Sequence, residues 1–501
     1  MTADTIIRWV RGALLLGLLA YFALSLYRGL ARDESAGMIG QQSLTTRPDP
    51  GVRVLLANRI VRSGADAAAE PSRWHEDKVE FSILQQVLVV TPDDPDNSER
   101  QLLLKPGASL TVLVNGPDGM MLNSAGWGRD GREKSWNVSR IRLLPVATFP
   151  LPVDHESLSR RNPCLFEAAD RDAVVAFAGR RYRGAIEILW HSAKDLAVVN
   201  CLPLESYVEG VVAVEMSPSY PLEALKAQAI VSRSYAYVRQ CQVQLAKSRQ
   251  PWDVVDGIED QDYRGTGNGS RVVTQAVIDT RGTVTCTDMS FGSYPFAPLF
   301  CASSGGYTAD VRTVLRDPRD AYGHALPISL MPSIKDDYCL AGAQGLGYTG
   351  SHWATTTVLK GPDIRVAVNR YLKQFGDKWK IGYVKDLKVG RRDPFSNRAL
   401  TVLIHHTEAD APSPMEIPAN DFRMILGPSL IRSTLWSAES PRRIDAVEKN
   451  TNTKNHQIQC LGYGHGAGMS QISAWEMARQ GHNAKFILEY FYRGVVLGTK
   501  W

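Results

Sequence analysis

The chain changes from strand-like to helical patterning within one stretch, Leu204-Glu-Ser-Tyr-Val-Glu-Gly-Val-Val-Ala-Val-Glu-Met-Ser-Pro218. Its large apolar residues recur at positions i, i+3, i+4, i+7 and i+8, which places them on one face of a helix. Those residues are Leu204, Tyr207, Val208, Val211 and Val212. The helix should end near Glu215, because Pro218 disfavours helical backbone in the residue before it. The stretch therefore predicts a helix that ends with a carboxyl group in otherwise apolar surroundings.

A second helix should begin almost at once. Ser217 or Ser219 can cap it, Pro221 suits a first helical turn, and Glu223 lies near the positive end of the helix dipole. The helical pattern continues to about Gln242. Two consecutive helices are therefore expected, with Glu215 at the corner between them.

The regions on either side of these helices are predicted to be richer in strands. From Val52 to about residue 200, short apolar runs alternate with turn clusters, and residues 250 to 420 have mixed strand and loop character. Gly462 to Trp501 begins as a glycine-rich loop and continues as two helices separated at Gly481. We therefore predict an α+β fold, a β-rich mixed domain with its helices in two blocks.

The N-terminal segment departs from a soluble composition. Gly12 to Tyr27 carry no charge, and two arginines flank the run on each side. The run is shorter than the roughly 20 residues of a membrane span, but flanking apolar residues lengthen it if the arginines snorkel. We predict an N-terminal transmembrane helix that acts as a signal anchor; the alternative is a cleaved signal peptide with its site at Ala23-Leu-Ser25. Both alternatives export the rest of the chain.

The predicted organisation has three parts. Residues 1–37 are the membrane anchor or signal with its linker, residues 38–180 are a β-rich N-terminal part, and residues 181–501 carry the candidate chemistry. No motif indicates a separate binding function for the β-rich part, so we expect it to build a wall of the same domain.

Composition excludes several classes of protein. The 501 residues are 44% hydrophobic and 22% charged, with a net charge of +5, so the chain can bury a full core and is not a disordered protein. It has no dense block of lysine and arginine, and we expect no nucleic-acid partner. Seven cysteines occur without a C-x-x-C pair, which excludes a zinc ribbon or a thioredoxin motif and leaves at least one thiol unpaired.

Glu215 is the candidate for acid–base chemistry. Burial raises the pKa of a carboxyl group, and a glutamic acid that stays protonated near neutral pH can protonate a glycosidic oxygen. The alternative is a glutamate at a helix end that is held by a salt bridge.

The following helix offers groups that could grip a sugar chain. Lys226 and Arg233 lie seven residues apart on one face, and Gln228, Ser232 and Tyr235 line a neighbouring face. The alternative is an ordinary solvated helix face.

Two turns complete the set of candidates. Gly462-Tyr-Gly-His-Gly-Ala-Gly-Met-Ser-Gln471 has glycine at alternate positions around His465, which could hydrogen-bond the carboxyl group or the substrate. It does not match a dinucleotide or phosphate-binding loop. Phe300-Cys-Ala-Ser-Ser-Gly-Gly-Tyr-Thr308 reads as a strand that runs into a tight polar turn. Each could equally be structural.

Taken together and in order, these motifs resemble the sporulation stage II protein D family over about residues 180 to 497. Its members are bacterial peptidoglycan lytic transglycosylases and related amidase enhancers. The resemblance implies that Glu215 is the catalytic acid and base and that Lys226 and Arg233 line the glycan cleft. It adds further substrate-binding residues: Gln228, Tyr235, Ser304, Tyr307, His465, Ser470 and Gln471. Two departures are Ser217, which is inserted before Pro218, and Cys301, which replaces a histidine common in the family.

Some family members carry a zinc-type site of histidine and cysteine. In this chain Cys301, His324, Cys339 and His352 are its only plausible remnants, and a disulfide between Cys301 and Cys339 is an equal alternative. We expect no metal and no cofactor.

The function that the resemblance implies is a membrane-anchored peptidoglycan lytic transglycosylase, with its catalytic region outside the cytoplasm. Glu215 would protonate the glycosidic oxygen between N-acetylmuramic acid and N-acetylglucosamine and then accept a proton from the muramoyl C6 hydroxyl, which gives a 1,6-anhydro product. The alternative is a non-catalytic glycan-binding protein that enhances an amidase. Expected partners are peptidoglycan strands, a cell-wall amidase and, through residues 1–37, the membrane.

Overall fold

Between Gly51 and Pro203 the described residues form short strands, as the alternation of apolar runs and turns predicts. The computed structural model describes residues 51–56, 78–90, 102–114, 120–125, 134–136, 140–145, 173–192, 195–246, 251–257, 259–266, 270–289, 292–315, 318–327, 329–444 and 454–501. The strands in this first part are β1 (Gly51–Leu55), β2 (Lys78–Ile83), β3 (Val87–Val90), β4 (Leu102–Leu104), β5 (Ser109–Val114), β6 (Met120–Ala125), β7 (Lys134–Trp136), β8 (Arg140–Pro145), β9 (Val175–Phe177), β10 (Arg180–Tyr182), β11 (Ala185–Ser192) and β12 (Asp195–Pro203).

The predicted helical pair follows directly from β12. Helix α1 (Leu204–Glu215) ends at the glutamate, where Met216 turns into extended backbone, and helix α2 (Leu222–Leu245) comes next. Pro221 occupies the N-cap of α2, while Ser217 and Ser219 hydrogen-bond to each other through their hydroxyls at 2.8 Å. The corner at Glu215 is therefore where the sequence predicts it, but neither serine caps α2.

Strands and helices alternate in the remainder of the chain. The first set comprises β13 (Val254–Val255), α3 (Arg271–Asp279), β14 (Thr283–Met289), β15 (Gly292–Pro295), β16 (Phe300–Cys301) and a 3-10 turn at Val311–Thr313. The second set comprises α4 (Cys339–Gly345), a π-helical turn at Thr349–Trp353, β17 (Ala354–Leu359), α5 (Gly361–Gln374), β18 (Val384–Val389), β19 (Thr401–His406), β20 (Met415–Pro418), α6 (Ala419–Leu426) and β21 (Arg442–Ile444). The last set comprises β22 (Asn455–Leu461), β23 (Met469–Ser470), α7 (Gln471–Arg479), α8 (Ala484–Phe491) and β24 (Val495–Thr499).

Two larger sheets and four small ones organise these strands. The seven-stranded sheet has the order β13-β1-β12-β11-β8-β3-β4, and the six-stranded sheet has the order β10-β9-β2-β5-β6-β7. Both larger sheets combine strands from either side of residue 180. Because β12 lies inside the seven-stranded sheet, paired with β1 and β11, the sheet fixes where α1 begins.

The predicted fold class needs two corrections. Among the residues that the structure describes, no helix is long and apolar enough to cross a membrane, so the transmembrane helix in that prediction gains no support. Its residues, 12–27, lie outside the described part of the chain. The helices are also not confined to two blocks, because α3, α4 and α5 lie within residues 250–420, which were predicted to be strand and loop.

The middle region has its own hydrophobic core, which explains the second correction. Ile364, Val368 and Leu372 recur every four residues along α5 and are buried together with Phe422 of α6 and the fully buried Trp436. This i, i+4, i+8 spacing is a helical signal that the coarse assignment of residues 250–420 passed over.

Candidate active site

The end of α1 forms one wall of a cavity of about 310 Å³. Tyr348 and His352 also line it, together with Gln471 and Ile472 from the start of α7. The cavity is lined by Ala213, Val214, Glu215, Met216, Ser217, Tyr220, Ala302, Tyr348, His352, Gln471 and Ile472. Segments that are far apart in the sequence therefore meet around the predicted carboxyl group.

Both carboxyl oxygens of Glu215 accept hydrogen bonds from uncharged groups. The backbone N–H of Asp262 donates to Oε1 at 2.9 Å, and Nε2 of Gln471 donates to Oε2 at 3.3 Å. These donors favour the charged carboxylate, but the loss of hydration on burial outweighs them and raises the pKa of Glu215 to about 7. Glu215 can therefore hold or release a proton near neutral pH.

A glycine in α1 allows the Asp262 loop to reach the carboxyl group. A Cβ atom at Gly210 would lie 2.5 Å from the carbonyl oxygen of Gly265 and 2.6 Å from a ring carbon of Tyr263. Tyr263 is anchored in turn, because its hydroxyl donates to Asn200 Oδ1 at 2.8 Å and its backbone N–H donates to Asp256 Oδ1 at 2.9 Å. Close helix–loop packing thus fixes the position of the N–H that contacts Glu215.

Of the predicted binding residues, Gln471 lines the cavity and Gln228 lies directly behind it. Gln471 begins α7 and contacts Glu215, and its Nε2 also lies 3.4 Å from Oε1 of Gln228. Gln228 is fully buried, and its Nε2 donates to Ser232 Oγ at 3.0 Å. Gln228 and Ser232 lie on one helix face, as their spacing predicts, and that face packs behind Gln471.

Aromatic side chains line the cavity, and their place there was not predicted from the sequence. The rings of Tyr348 and His352 stack at a centroid distance of 4.5 Å, and Tyr220 lies edge-on to Trp475 at 6.5 Å. Burial and the charge of Arg432 lower the pKa of His352, which favours a neutral ring. Flat aromatic faces in the same cavity as a carboxyl group suit a sugar ring.

His465 lies in the glycine-rich loop, and its hydrogen bonds are to backbone rather than to Glu215. Its Nδ1 accepts from the N–H of Ala467 at 3.1 Å, and a further bond goes to the backbone of Phe300. Burial and the charges of Arg423 and Arg398 lower its pKa to about 3, so the ring is neutral. The loop approaches its neighbours closely, because a Cβ at Gly468 would overlap the carbonyl oxygen of Leu299.

Ser304, Ser470 and Tyr307 are also not among the cavity-lining residues. The hydroxyl of Ser304 donates to Asp336 Oδ2 at 2.5 Å. The hydroxyl of Ser473 lies 2.7 Å from the same carboxylate oxygen and 2.8 Å from Ser470 Oγ, so it links Asp336 to Ser470. Tyr307 packs edge-on against Phe395 at 5.8 Å. These residues join the two predicted turns to each other and to α7.

Lys226, Arg233 and Tyr235 do not line this cavity and each contacts acidic side chains, so their place in a glycan cleft stays a prediction. Nζ of Lys226 contacts Glu223 at 3.0 Å and Asp279 at 2.9 Å. The fully buried Arg233 donates to both carboxylate oxygens of Glu205, at 2.9 and 2.6 Å. The hydroxyl of Tyr235 donates to Asp260 Oδ1 at 2.5 Å.

The residues considered for a metal site do not form one. Cys301 and Cys339 are both buried and free, so the alternative disulfide is absent as well. His324 contacts Asp320 at 2.9 Å, and His352 lies in the cavity wall. Within the described ranges, no group of three or more histidine, cysteine or acidic side chains could hold a metal ion.

Comparison with known proteins supports the resemblance that the motifs suggest. Residues 192–286, which run from the end of β11 through α1 and α2 into β14, match the family model described as Stage II sporulation protein. This matched region contains Glu215, Gln228 and Asp262.

Relatives match over a longer part of the chain. An uncharacterized protein of Brachyspira hyodysenteriae is 28% identical over 63% of this chain and 72% of its own length. Stage II sporulation protein D of Bacillus subtilis is 26% identical over 59% of this chain and 74% of its own length. The amidase enhancer of Bacillus subtilis is 25% identical over 58% of this chain, but the match spans only 40% of that protein.

Proposed function

Taking the chain as a member of the sporulation stage II protein D family, we propose that it cleaves the glycan strands of peptidoglycan as a lytic transglycosylase, with Glu215 as the acid and base. The observation that carries the proposal is a carboxyl group with a pKa of about 7 that lines a cavity beside aromatic side chains. The family match and the amidase-enhancer relative support a function in the cell wall.

The reaction needs one carboxyl group that changes its protonation state. Protonated Glu215 gives its proton to the glycosidic oxygen as the bond between that oxygen and C1 of N-acetylmuramic acid breaks. The resulting carboxylate then takes the proton of the C6 hydroxyl, whose oxygen forms the new bond to C1. The product is a 1,6-anhydro sugar, no water is consumed, and Glu215 returns to its protonated form.

Neighbouring groups support both halves of this cycle. The Asp262 N–H and the Gln471 amide hydrogen-bond the carboxylate, and partial desolvation favours the neutral acid, so neither form is strongly preferred at pH 7. A pKa close to the working pH is what acid–base catalysis requires. Tyr348 and Tyr220 would hold the sugar rings against the carboxyl group.

A second candidate function is a glycan-binding protein that enhances a separate amidase. It is favoured by the relative of that name and by Ser217, which lengthens the turn after Glu215 relative to the usual family motif. This candidate uses the same cavity to bind glycan without breaking it. It predicts binding to purified sacculi and stimulation of an amidase, with no new anhydro ends.

The deciding experiment is digestion of intact sacculi and of peptide-free glycan strands, followed by mass spectrometry of the products. The native chain should release 1,6-anhydro products, and Glu215→Gln should reduce their release by about 10²–10⁴-fold. Glu259→Gln is the matched control, because Glu259 is exposed on the loop that carries Asp262 and does not line the cavity.

The outcomes separate the two candidates. Equal product release by the native chain and by Glu215→Gln removes Glu215 from the mechanism. Stimulation of an amidase without anhydro products selects the enhancer function. The comparison of the two substrates also establishes whether peptides must first be removed from the glycan.

Activity on peptidoglycan would place residues 38–501 outside the cytoplasmic membrane. The described cysteines are compatible with export because most are buried, and burial raises the pKa of Cys201 and Cys301 to about 12, which keeps these thiols protonated and unreactive. An alkaline phosphatase fused after Trp501 should be active in cells. An inactive fusion with normal protein levels would contradict both this location and glycan cleavage.

A further inference from the structure

A chain of three polar side chains runs from Glu215 into the protein interior. Nε2 of Gln471 lies 3.3 Å from Glu215 Oε2 and 3.4 Å from Gln228 Oε1, and Nε2 of Gln228 donates to Ser232 Oγ at 3.0 Å. Gln228 and Ser232 are fully buried, and Gln471 is 6% exposed. Buried polar groups without partners are costly, so these contacts matter most where water does not reach.

Each member of this chain can both donate and accept hydrogen bonds. A primary amide carries an NH₂ donor and a carbonyl acceptor at nearly the same distance, and a serine hydroxyl does both with one oxygen. If both amides turn over, their nitrogen and oxygen atoms exchange places, and the serine hydroxyl rotates to match. Every hydrogen bond in the chain then joins the same two positions but runs in the opposite direction. The heavy-atom framework is therefore compatible with two opposite polarities.

The two polarities match the two protonation states of Glu215. A carboxylate needs donors, which the observed direction provides through the NH₂ of Gln471. A protonated carboxyl group must place its O–H against an acceptor. Because the N–H of Asp262 faces Oε1 and can only donate, the proton belongs on Oε2, where the carbonyl of a reversed Gln471 would accept it.

We propose that Gln228 is a positioning residue, and that the chain Gln471–Gln228–Ser232 reverses its hydrogen-bond direction each time Glu215 gains or loses a proton. The inference rests on the proposed function, because it supplies the device by which one carboxyl group serves as acid and then as base. Gln228 acts only through Gln471. Ser232 makes the reversal possible, because its hydroxyl satisfies either end of the Gln228 amide.

Other groups around Glu215 influence its charge without belonging to the chain. Asp262 and Arg264 lie on the neighbouring loop, and both act on the carboxyl group electrostatically. Tyr220, Tyr348 and His352 line the same cavity. Burial, with Asp262 and Arg264, sets the pH at which Glu215 titrates, whereas a response of the buried Gln228 amide to that titration requires the hydrogen-bonded chain through Gln471.

The test is a pH titration of the full chain by NMR, with ¹⁵N-labelled glutamine side chains and ¹³C-labelled glutamate carboxyl groups. The signals are assigned by their loss in Glu215→Gln, Gln228→Leu and Gln471→Leu. We expect the Gln228 and Gln471 amides to titrate with the same midpoint as the Glu215 carboxyl group, and both responses to vanish in Glu215→Gln.

A pair of serine variants on α2 adds a directional test. In Ser232→Ala the charged state of Glu215 leaves a buried N–H of Gln228 without an acceptor, while the protonated state leaves only a carbonyl oxygen short of a donor, which costs less. The midpoint of Glu215 should therefore rise by roughly half a unit or more. Ser234→Ala is the matched control, because Ser234 is also fully buried on α2 but bonds Ile230 and Thr285.

The results divide cleanly. A Gln228 amide that stays constant while Glu215 titrates overturns the proposal, and so does an absence of Glu215 titration between pH 5 and 9, or an equal shift in Ser234→Ala. If the Gln228 amide titrates together with Glu215 but the protein releases no anhydro products, this inference stands and the proposed catalysis is contradicted. If the protein releases anhydro products but the Gln228 amide does not respond to pH, the proposed catalysis stands and this inference is contradicted.

Discussion

Two glutamates of this chain, Glu187 and Glu215, have opposite surroundings. Glu187 lies in β11 with its side chain fully buried, and it forms ion pairs with Arg53, with Arg142 at 2.8 Å and with Arg140 at 3.6 Å. Glu215 ends α1 and has only uncharged donors in direct contact. The first carboxylate is compensated by cations and the second by backbone and amide dipoles.

The difference shows how the same residue type is used for stability and for chemistry. Removing a buried carboxylate that pairs with guanidinium groups takes a counter-charge away from them, which destabilises the fold. A carboxyl group that is buried without a cation in contact has a raised pKa, which for Glu215 is about 7, so it can gain or lose a proton at neutral pH. The comparison predicts that mutating Glu187 affects folding, whereas mutating Glu215 affects reaction and pH dependence.

The largest effect is expected for Glu187→Gln. It should lower the free energy of unfolding by about 3–5 kcal/mol, because Arg142 loses its buried carboxylate partner. Urea denaturation followed by circular dichroism measures the change. A loss below about 1 kcal/mol would mean that water or another group compensates the arginines, and the contrast with Glu215 would fail.

The sequence predicted one of these two environments. Glu215 was found because apolar spacing defines α1 and Pro218 ends it, so the position of the carboxyl group follows from local rules. The arginines that pair with Glu187 were not predicted, because Arg53 and Arg142 reach it only through the pairing of strands β1, β12, β11 and β8. Strand order is a long-range property that periodicity does not encode.

The same limit explains why the contacts of the other predicted site residues could not be foreseen. The helical face of Lys226 and Arg233 was read correctly from their spacing, but what packs against that face was unknown, and Glu205 and Asp279 neutralise both cations. Tyr348 and His352 lie more than 130 residues after Glu215 in a region without a regular pattern. Only the folded chain places them in the cavity wall.

The second prediction concerns the pH dependence of glycan cleavage. The first step needs protonated Glu215, and above its pKa of about 7 the protonated fraction falls about tenfold per pH unit. The ratio kcat/KM for anhydro-product release should therefore decline with that slope between pH 8 and 9. A rate that stays constant to pH 9 would show that Glu215 is not the proton donor.

The third prediction uses stability as an independent measure of the same pKa. The pKa of Glu215 is raised in the folded protein, so the folded state binds a proton more tightly than the unfolded state, and stability falls as pH rises from about 4.5 to about 7. Glu215→Gln removes this loss. It should stabilise the chain by roughly 3 kcal/mol at pH 8 and by only a few tenths of a kcal/mol at pH 4.5.

Thermal denaturation of the native chain and of Glu215→Gln at both pH values tests the third prediction. Glu259→Gln serves as the control and should show no such pH-dependent gain. A destabilised Glu215→Gln at pH 8 would indicate that the carboxylate is compensated after all, as it is at Glu187.

The fourth prediction tests the aromatic wall. Tyr348→Ala should weaken binding to glycan strands about five- to tenfold, because it removes a flat face from the cavity and leaves His352 without its stacking partner. Sedimentation with purified sacculi measures the binding. Phe375→Ala is a suitable control, since this exposed aromatic residue does not line the cavity.

The smallest effect is expected for Lys226→Ala, although the family resemblance assigns Lys226 to the glycan cleft. Its ammonium group pairs with Glu223 and Asp279 on the protein surface, and surface pairs of this kind contribute about 0–1 kcal/mol. We expect unfolding to change by less than about 1 kcal/mol and glycan cleavage by less than about twofold. A tenfold or greater loss of cleavage with normal stability would mean that Lys226 leaves its carboxylates to contact the substrate. In that case the glycan extends beyond the cavity along α2, and uncharged contacts alone would not account for how this site holds its substrate.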